Sequence, residues 1–116
     1  MQVIDLRDDS EPEAGIYRAS LLLEHGRMKV RRIDLAAGAK IPPCRMQEDA
    51  VFVVLSGRVT FRSEGREAAL EAGEALFIPG GAAERSMEAH RVSRVLGVLS
   101  LGNGAGGGTG DRMGKP

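Results

Sequence analysis

The stretch IPPCRMQEDAVFVVLSG, residues 41–57, carries the pattern that decides the fold. Its second half is a short run of aliphatic, β-branched and aromatic residues that ends at the dipeptide Ser56-Gly57. A run of this kind, bounded by a glycine turn, predicts a β-strand over residues 50–55. In its first half Cys44 and Met46 lie two residues apart, so they share a face if that segment is also extended.

The rest of the chain repeats this alternation of short apolar runs and Gly, Pro or Ser turns, while helical periodicity is hard to find. Regular short strands of this kind predict an all-β protein. Closure into a jelly-roll β-barrel is the usual way to protect the edges of such sheets. We predict strands over residues 29–35, 50–55, 58–62, 67–70, 75–78, 83–88 and 91–101, with one or two edge strands in the N-terminal third, around residues 16–23.

Length and composition predict one soluble domain over residues 1–101 and a flexible tail over residues 102–116, where glycine dominates. Sixteen basic and sixteen acidic side chains cancel, so no net charge favours nucleic acid or a membrane surface. A single cysteine cannot form an intramolecular disulfide, and the acidic start does not have the pattern of a signal peptide. We therefore expect a cytoplasmic protein without nucleic-acid or membrane partners.

The tail contains Gly102, Gly104 and Gly107 in the spacing GxGxxG. In dinucleotide-binding proteins this spacing follows a strand and opens a helix. No helix is predicted after it here, so a linker or an arm is the preferred interpretation.

Two separated motifs resemble those of the cupin family of small β-barrels. The first family motif has a glycine, a His-x-His pair, a glutamate and a closing glycine, and the second has a glycine, Pro-x-Gly, a histidine and an asparagine. The corresponding positions here are Gly38, Cys44, Met46, Ala50 and Gly57 in the first motif, and Gly73, Pro79, Gly81, Glu84 and Glu88 in the second. The resemblance covers residues 34–101 and implies a cupin-like jelly roll.

In cupins that bind a metal, the ligands come from the positions that Cys44, Met46, Ala50 and Glu84 occupy here. A thiol, a thioether, a methyl group and a carboxylate are not a donor set that common catalytic metals prefer. The resemblance therefore implies a barrel with a degenerate metal site and no cofactor, in which Cys44, Met46, Ala50, Phe52 and Glu84 line a pocket for a small molecule. The alternative is a soft ion such as Cu(I), held by Cys44 and Met46 with Glu84.

Polar residues of the second motif permit a different site. Glu84, Glu88 and His90 point the same way along a regular strand, and the family pattern turns the first two toward the cavity. There they would be candidates for acid/base catalysis, since burial raises the pKa of a carboxylic acid. The competing interpretation is that the strand bends at its end and Glu88 and His90 reach solvent.

Two further observations leave alternatives open. Arginines at positions 27, 31, 32, 62 and 66 are scattered over several segments and would bind an anion only if they converged. The apolar run RVLGVLSL, residues 94–101, favours a homodimer if it forms an exposed edge.

The function that these residues favour is a metal-free binding module for a small molecule, or a sensing or interaction module. The alternative is an enzyme. It would be a metal-independent isomerase or epimerase that uses Glu84, Glu88 or His90, or an unusual metal-dependent cupin enzyme with Cys44 and Glu84 as ligands.

Overall fold

The computed structural model describes residues 1–7, 11–81 and 84–101. The described residues form strands and turns without an α-helix, and hence none that could span a bilayer. The strands are β1 (Tyr17–His25), β2 (Met28–Leu35), β3 (Lys40–Arg45), β4 (Asp49–Ser56), β5 (Arg58–Ser63), β6 (Arg66–Glu71), β7 (Ala75–Ile78), β8 (Glu84–Ala89) and β9 (Ser93–Ser100).

Two antiparallel sheets face each other across one apolar core. The first has five strands in the order β1-β2-β9-β4-β7, and the second has four strands in the order β3-β8-β5-β6. Consecutive strands cross repeatedly from one sheet to the other, as in a jelly roll. The predicted all-β jelly-roll class is therefore confirmed. The flexible tail and the GxGxxG glycines lie outside the described residues, and the domain boundary at residue 101 stays a prediction.

Every strand predicted from the sequence is present, but β3 is additional. Its core is the sequence Ile41-Pro42-Pro43-Cys44, and consecutive prolines argue against a central strand because proline cannot donate to the ladder. The structure resolves this conflict by placing β3 at the edge of the four-stranded sheet. Its pairing with β8 shifts register between Ile41 and Cys44, where the prolines lie.

The apolar strand β9 corrects another prediction, since it is not an exposed edge. It pairs with both β2 and β4 at the centre of the five-stranded sheet. Val95 and Leu99 are buried in the core, while Leu96 and Val98 lie half-buried on the other face. A central strand is apolar on both faces because each face is at least partly covered, so its composition carries no evidence for a homodimer.

The glycines at the motif positions sit in conformations that explain their presence. Gly38, Gly57, Gly73 and Gly81 all have positive φ, between 81° and 125°. Gly57 is also closely packed, because a Cβ atom at this position would overlap the side chain of Ser93. This turn between β4 and β5 therefore requires glycine both for its backbone conformation and for space.

Candidate functional site

A cavity of about 230 Å³ opens between the two sheets. It is somewhat smaller than the roughly 300–1,000 Å³ typical of small-molecule sites, and would hold roughly eight water molecules. Most of its wall is apolar. The lining residues are Tyr17, Ala19, Arg31, Ile33, Ile41, Cys44, Met46, Phe52, Phe61, Ile78, Arg85, Ser86, Met87 and Leu99.

The polar feature that distinguishes this cavity is the buried side chain of Arg85, which comes from β8. Only 7% of the residue is exposed. Its Nη2 donates to the carbonyl oxygen of Glu48 at 3.0 Å, and its Nη1 donates to that of Ile78 at 3.4 Å. Its guanidinium carbon lies 5.9 Å from the centre of the Phe52 ring. No carboxylate of the described residues forms a salt bridge with it.

Burial of Arg85 disfavours the charged form of its guanidinium. Burial lowers the pKa of the guanidinium from its usual value, and the more distant charges of Glu48, Cys44 and Asp49 only oppose this effect. Arginine stays protonated in proteins at ordinary pH even so. The cavity wall therefore holds a desolvated cation that an anionic ligand would stabilise.

Phe52 forms the floor beneath this guanidinium, and a glycine makes room for it. Phe52 on β4 is the register partner of Gly97 on β9, where a Cβ atom would lie 3.1 Å from the ring. On the other side of the same glycine lies Arg31 of β2, which also lines the cavity. The ring of Phe61 stacks on Phe52 at a centroid distance of 5.6 Å. Because Gly97 has no side chain, the large side chains of Arg31 and Phe52 fit on either side of it on the same face of the sheet.

Three of the five residues predicted to line the pocket do so. Cys44, Met46 and Phe52 reach the cavity, and the Cys44 Sγ lies 3.5 Å from the Met46 Sδ. Ala50 is fully buried in the core but is not part of the lining. Glu84 is exposed and does not line the cavity.

Of the two orientations open to the acid/base candidates, the one that turns them toward the cavity is wrong. Glu84 and His90 are exposed, and Glu88 accepts a hydrogen bond from the exposed Arg62 at 3.2 Å. The Nε2 of His90 lies 2.6 Å from the Thr60 hydroxyl, so its contact is local. A catalytic role for these three residues stays a prediction, and none of them lines the cavity.

The reason is the alternation of side chains along β8. Met87 and Ala89 are buried in the core, so Arg85 shares their face and Glu84 lies on the opposite one. Arg85 is also the register partner of Cys44 across the β3-β8 pair. The motif spacing implies that Glu84 reaches the interior, but the residue that does so is Arg85, one position further along the strand. The apolar parity of Met87 and Ala89 was the signal in the sequence that pointed to Arg85.

The residues at the family's metal positions do not fit a divalent metal ion. Cys44 and Met46 contribute a thiol and a thioether, Ala50 has no donor, and Glu84 faces away from them. Within the described ranges no group of three or more His, Cys, Asp and Glu side chains is placed to hold a metal. A guanidinium beside Cys44 would further disfavour a cation at this place.

The fold and the cavity together define a class, a small double-sheet β-barrel with a mainly apolar cavity between its sheets. Within that class the chain belongs to the cupin family, because the family model of the cupin domain matches residues 31–95, more than half of the chain. No curated protein matches it in sequence.

Solved structures with the same fold are remote in sequence. An RmlC-like cupin from Desulfovibrio desulfuricans has a TM-score of 0.75 and 19% identity, covering 86% of this chain and 96% of that one. KdgF from Halomonas sp. has a TM-score of 0.73 and 18% identity, with coverages of 90% and 96%. A predicted oxalate decarboxylase from Thermotoga maritima has a TM-score of 0.66 and 22% identity, with coverages of 73% and 80%. These similarities establish the fold alone.

Proposed function

We propose that this cupin is a binding module that takes up a small organic acid in the cavity between its sheets, with the carboxylate on Arg85. The observation that carries the proposal is that the Arg85 side chain is buried without a carboxylate partner among the described residues. Arg85 is buried and faces the cavity, and it forms hydrogen bonds to two backbone carbonyls without a carboxylate partner among the described residues.

The free energy of a buried cation explains why a ligand is the expected partner. A guanidinium removed from water without a counter-ion is unfavourable by several kcal/mol. A carboxylate can accept two parallel N–H bonds from a guanidinium, which is the geometry that arginine offers best. Binding an acid would thus give Arg85 the counter-ion that no described residue supplies.

The remaining wall favours a ligand with an apolar body. Ile33 and Leu99 of the five-stranded sheet face Ile41, Phe61 and Met87 of the four-stranded sheet around the cavity. Such side chains give favourable contacts to methylene groups and none to hydroxyl groups. A short aliphatic acid is therefore favoured over a sugar of the same size.

The cavity supports binding better than acid/base catalysis. The titratable side chains in its lining are Tyr17, Arg31, Cys44 and Arg85, and no carboxylate or histidine of the described residues reaches it. An isomerase or epimerase needs groups that exchange protons near neutral pH at the reacting carbon. Arginine does not meet this requirement, because its pKa is too high.

Isothermal titration calorimetry with pentanoate and its neutral counterpart pentanol tests the proposal. Wild-type protein should bind pentanoate saturably and pentanol much more weakly. Arg85→Met should reduce the pentanoate affinity by roughly 10- to 100-fold, since it removes a charge-assisted hydrogen-bond donor. Arg91→Met, at an exposed turn, is the matched control and should bind as the wild type does. Equal binding of acid and alcohol, or no binding of either, would contradict the proposal.

A further inference from the structure

We infer that the ligand is a small dicarboxylic acid with an apolar spacer, and that Arg31 holds its second carboxylate. This inference rests on the proposed function and extends it to the class of ligand. Among the described residues, Arg31 and Arg85 are the two arginines that line the cavity.

The two arginines enter the cavity from opposite walls. Arg31 belongs to β2 in the five-stranded sheet, and Arg85 belongs to β8 in the four-stranded sheet. Facing sheets pack roughly 10 Å apart, so side chains from both walls can contact one small molecule between them. This placement suits two anionic groups at separate ends of a ligand.

Gly97 gives the ring of Phe52 its place between the two arginines on the side of the five-stranded sheet, because a Cβ atom there would lie 3.1 Å from the ring. It is the register partner of both Arg31 and Phe52, so these two side chains flank a position that has no side chain. Arg85 lies over the ring of Phe52 from the opposite wall. A ligand that lies against the Phe52 ring therefore has Arg85 on one side and Arg31 on the other.

The charge of the cavity supports the same conclusion. Arg31 is half-buried and forms no salt bridge within the described part of the chain, in contrast to its neighbour Arg32, which donates to Asp34 at 3.0 Å. No aspartate or glutamate of the described residues lines the cavity. Two arginines from opposite walls thus line a mainly apolar cavity, and a dianion would neutralise both of their charges.

An apolar spacer distinguishes this ligand from a compact dianion such as phosphate or oxalate. A single tetrahedral or planar anion would bring both arginines together on one group and leave the hydrophobic wall without contacts. Ile33, Met87 and Leu99 lie along that wall. Methylene groups between the carboxylates would be stabilised there by about 0.8 kcal/mol for each buried CH₂.

The test compares glutarate with pentanoate by calorimetry on the full chain. Wild-type protein should bind glutarate roughly 10- to 100-fold more tightly than pentanoate. Arg31→Gln should remove this preference by weakening glutarate alone, while pentanoate binding changes by no more than about twofold. Arg91→Gln is the matched control, and thermal unfolding followed by circular dichroism verifies that each variant is folded.

The outcomes separate the inference from the proposed function. If wild-type protein binds pentanoate through Arg85 as tightly as glutarate, the inference that the ligand has a second carboxylate is refuted. The proposed acid-binding function then still stands. If Arg31→Gln weakens both acids equally, Arg31 does not recognise a second group and the inference fails. Tighter binding of inorganic phosphate or oxalate than of glutarate would contradict the inference that the ligand has an apolar spacer between its carboxylates. Absence of binding by any acid would overturn both proposals.

Discussion

Replacing Arg85 with methionine should make the ligand-free protein more stable while it abolishes acid binding. The substitution removes the hydrogen bond to the Glu48 carbonyl, worth about 1.5 kcal/mol, and the longer one to the Ile78 carbonyl, worth about 0.5 kcal/mol. It also removes a contact with Phe52 near the distance limit of a cation–π interaction, worth about 0.5 kcal/mol. Against these losses, it removes a desolvated charge to which no described residue supplies a counter-ion, and whose penalty in proteins is several kcal/mol, about 4 kcal/mol taken as a central value. The expected net effect is a stabilisation of about 1.5 kcal/mol.

Urea unfolding followed by far-UV circular dichroism measures this difference. The midpoint should rise at an unchanged denaturant dependence, and the melting temperature should rise by roughly 10 °C for a domain of this size. Arg91→Met provides the control for the loss of one positive charge and should change stability by no more than about 0.5 kcal/mol. A loss of about 3 kcal/mol or more in Arg85→Met would show instead that Arg85 is a structural residue whose partners keep the barrel closed.

Three further predictions concern the turn, the register of β8 and the outer surface. Gly57→Ala should destabilise the protein by about 2–4 kcal/mol in urea unfolding, because the strain of a positive φ adds to the overlap of the new Cβ atom with Ser93. Gly65→Ala, which also has positive φ but open space around it, should lose only about 1 kcal/mol. Equal losses would show that the overlap is unimportant. Cys44→His combined with Arg85→His should bind Ni²⁺ in titration calorimetry, whereas Cys44→His with Glu84→His should not, because position 85 is the register partner of position 44 on the inner face of the same sheet. The reverse result would restore the register implied by the motif spacing. The homodimer stays a prediction, and the 60% exposed side chain of Phe77 offers an apolar contact for it. Light scattering should give a dimer for the wild type and a monomer for Phe77→Glu. A monomeric wild type would contradict the prediction.

The strands and the frame glycines could be predicted from the sequence because both depend on local physics. Alternating apolar residues identify strands, and positive φ restricts Gly57 and Gly73 to glycine. Strand β3 was missed because Pro42 and Pro43 contradict a strand unless it lies at an edge, and edge position depends on which strands pair.

Part of the cavity lining could be predicted from the sequence. Cys44, Met46 and Phe52 follow from the motif spacing, and they line the cavity. Arg85 was missed because the motif position was carried over to Glu84, although the parity of the buried Met87 favoured its neighbour. A shift of one residue exchanges the two faces of a strand, so a small error in register replaced a buried cation with an exposed carboxylate.

Arg31 illustrates a different limit. The sequence contains sixteen basic residues, and nothing local distinguishes the arginine that faces the cavity from Arg32, which pairs with Asp34 on the other face. Its significance comes from Gly97 and Phe52, which are distant in sequence and adjacent in the sheet. Convergence of this kind requires knowledge of the strand order.

A crystal structure of the protein with pentanoate would show whether Arg85 holds the carboxylate of an acid. We expect the ligand in the cavity between the sheets, with its carboxylate within hydrogen-bonding distance of the Arg85 guanidinium and its alkyl chain against Met87 and Ile33. A ligand bound outside the barrel, or one in the cavity with its carboxylate turned away from Arg85 toward solvent, would rule out the proposed binding of acids.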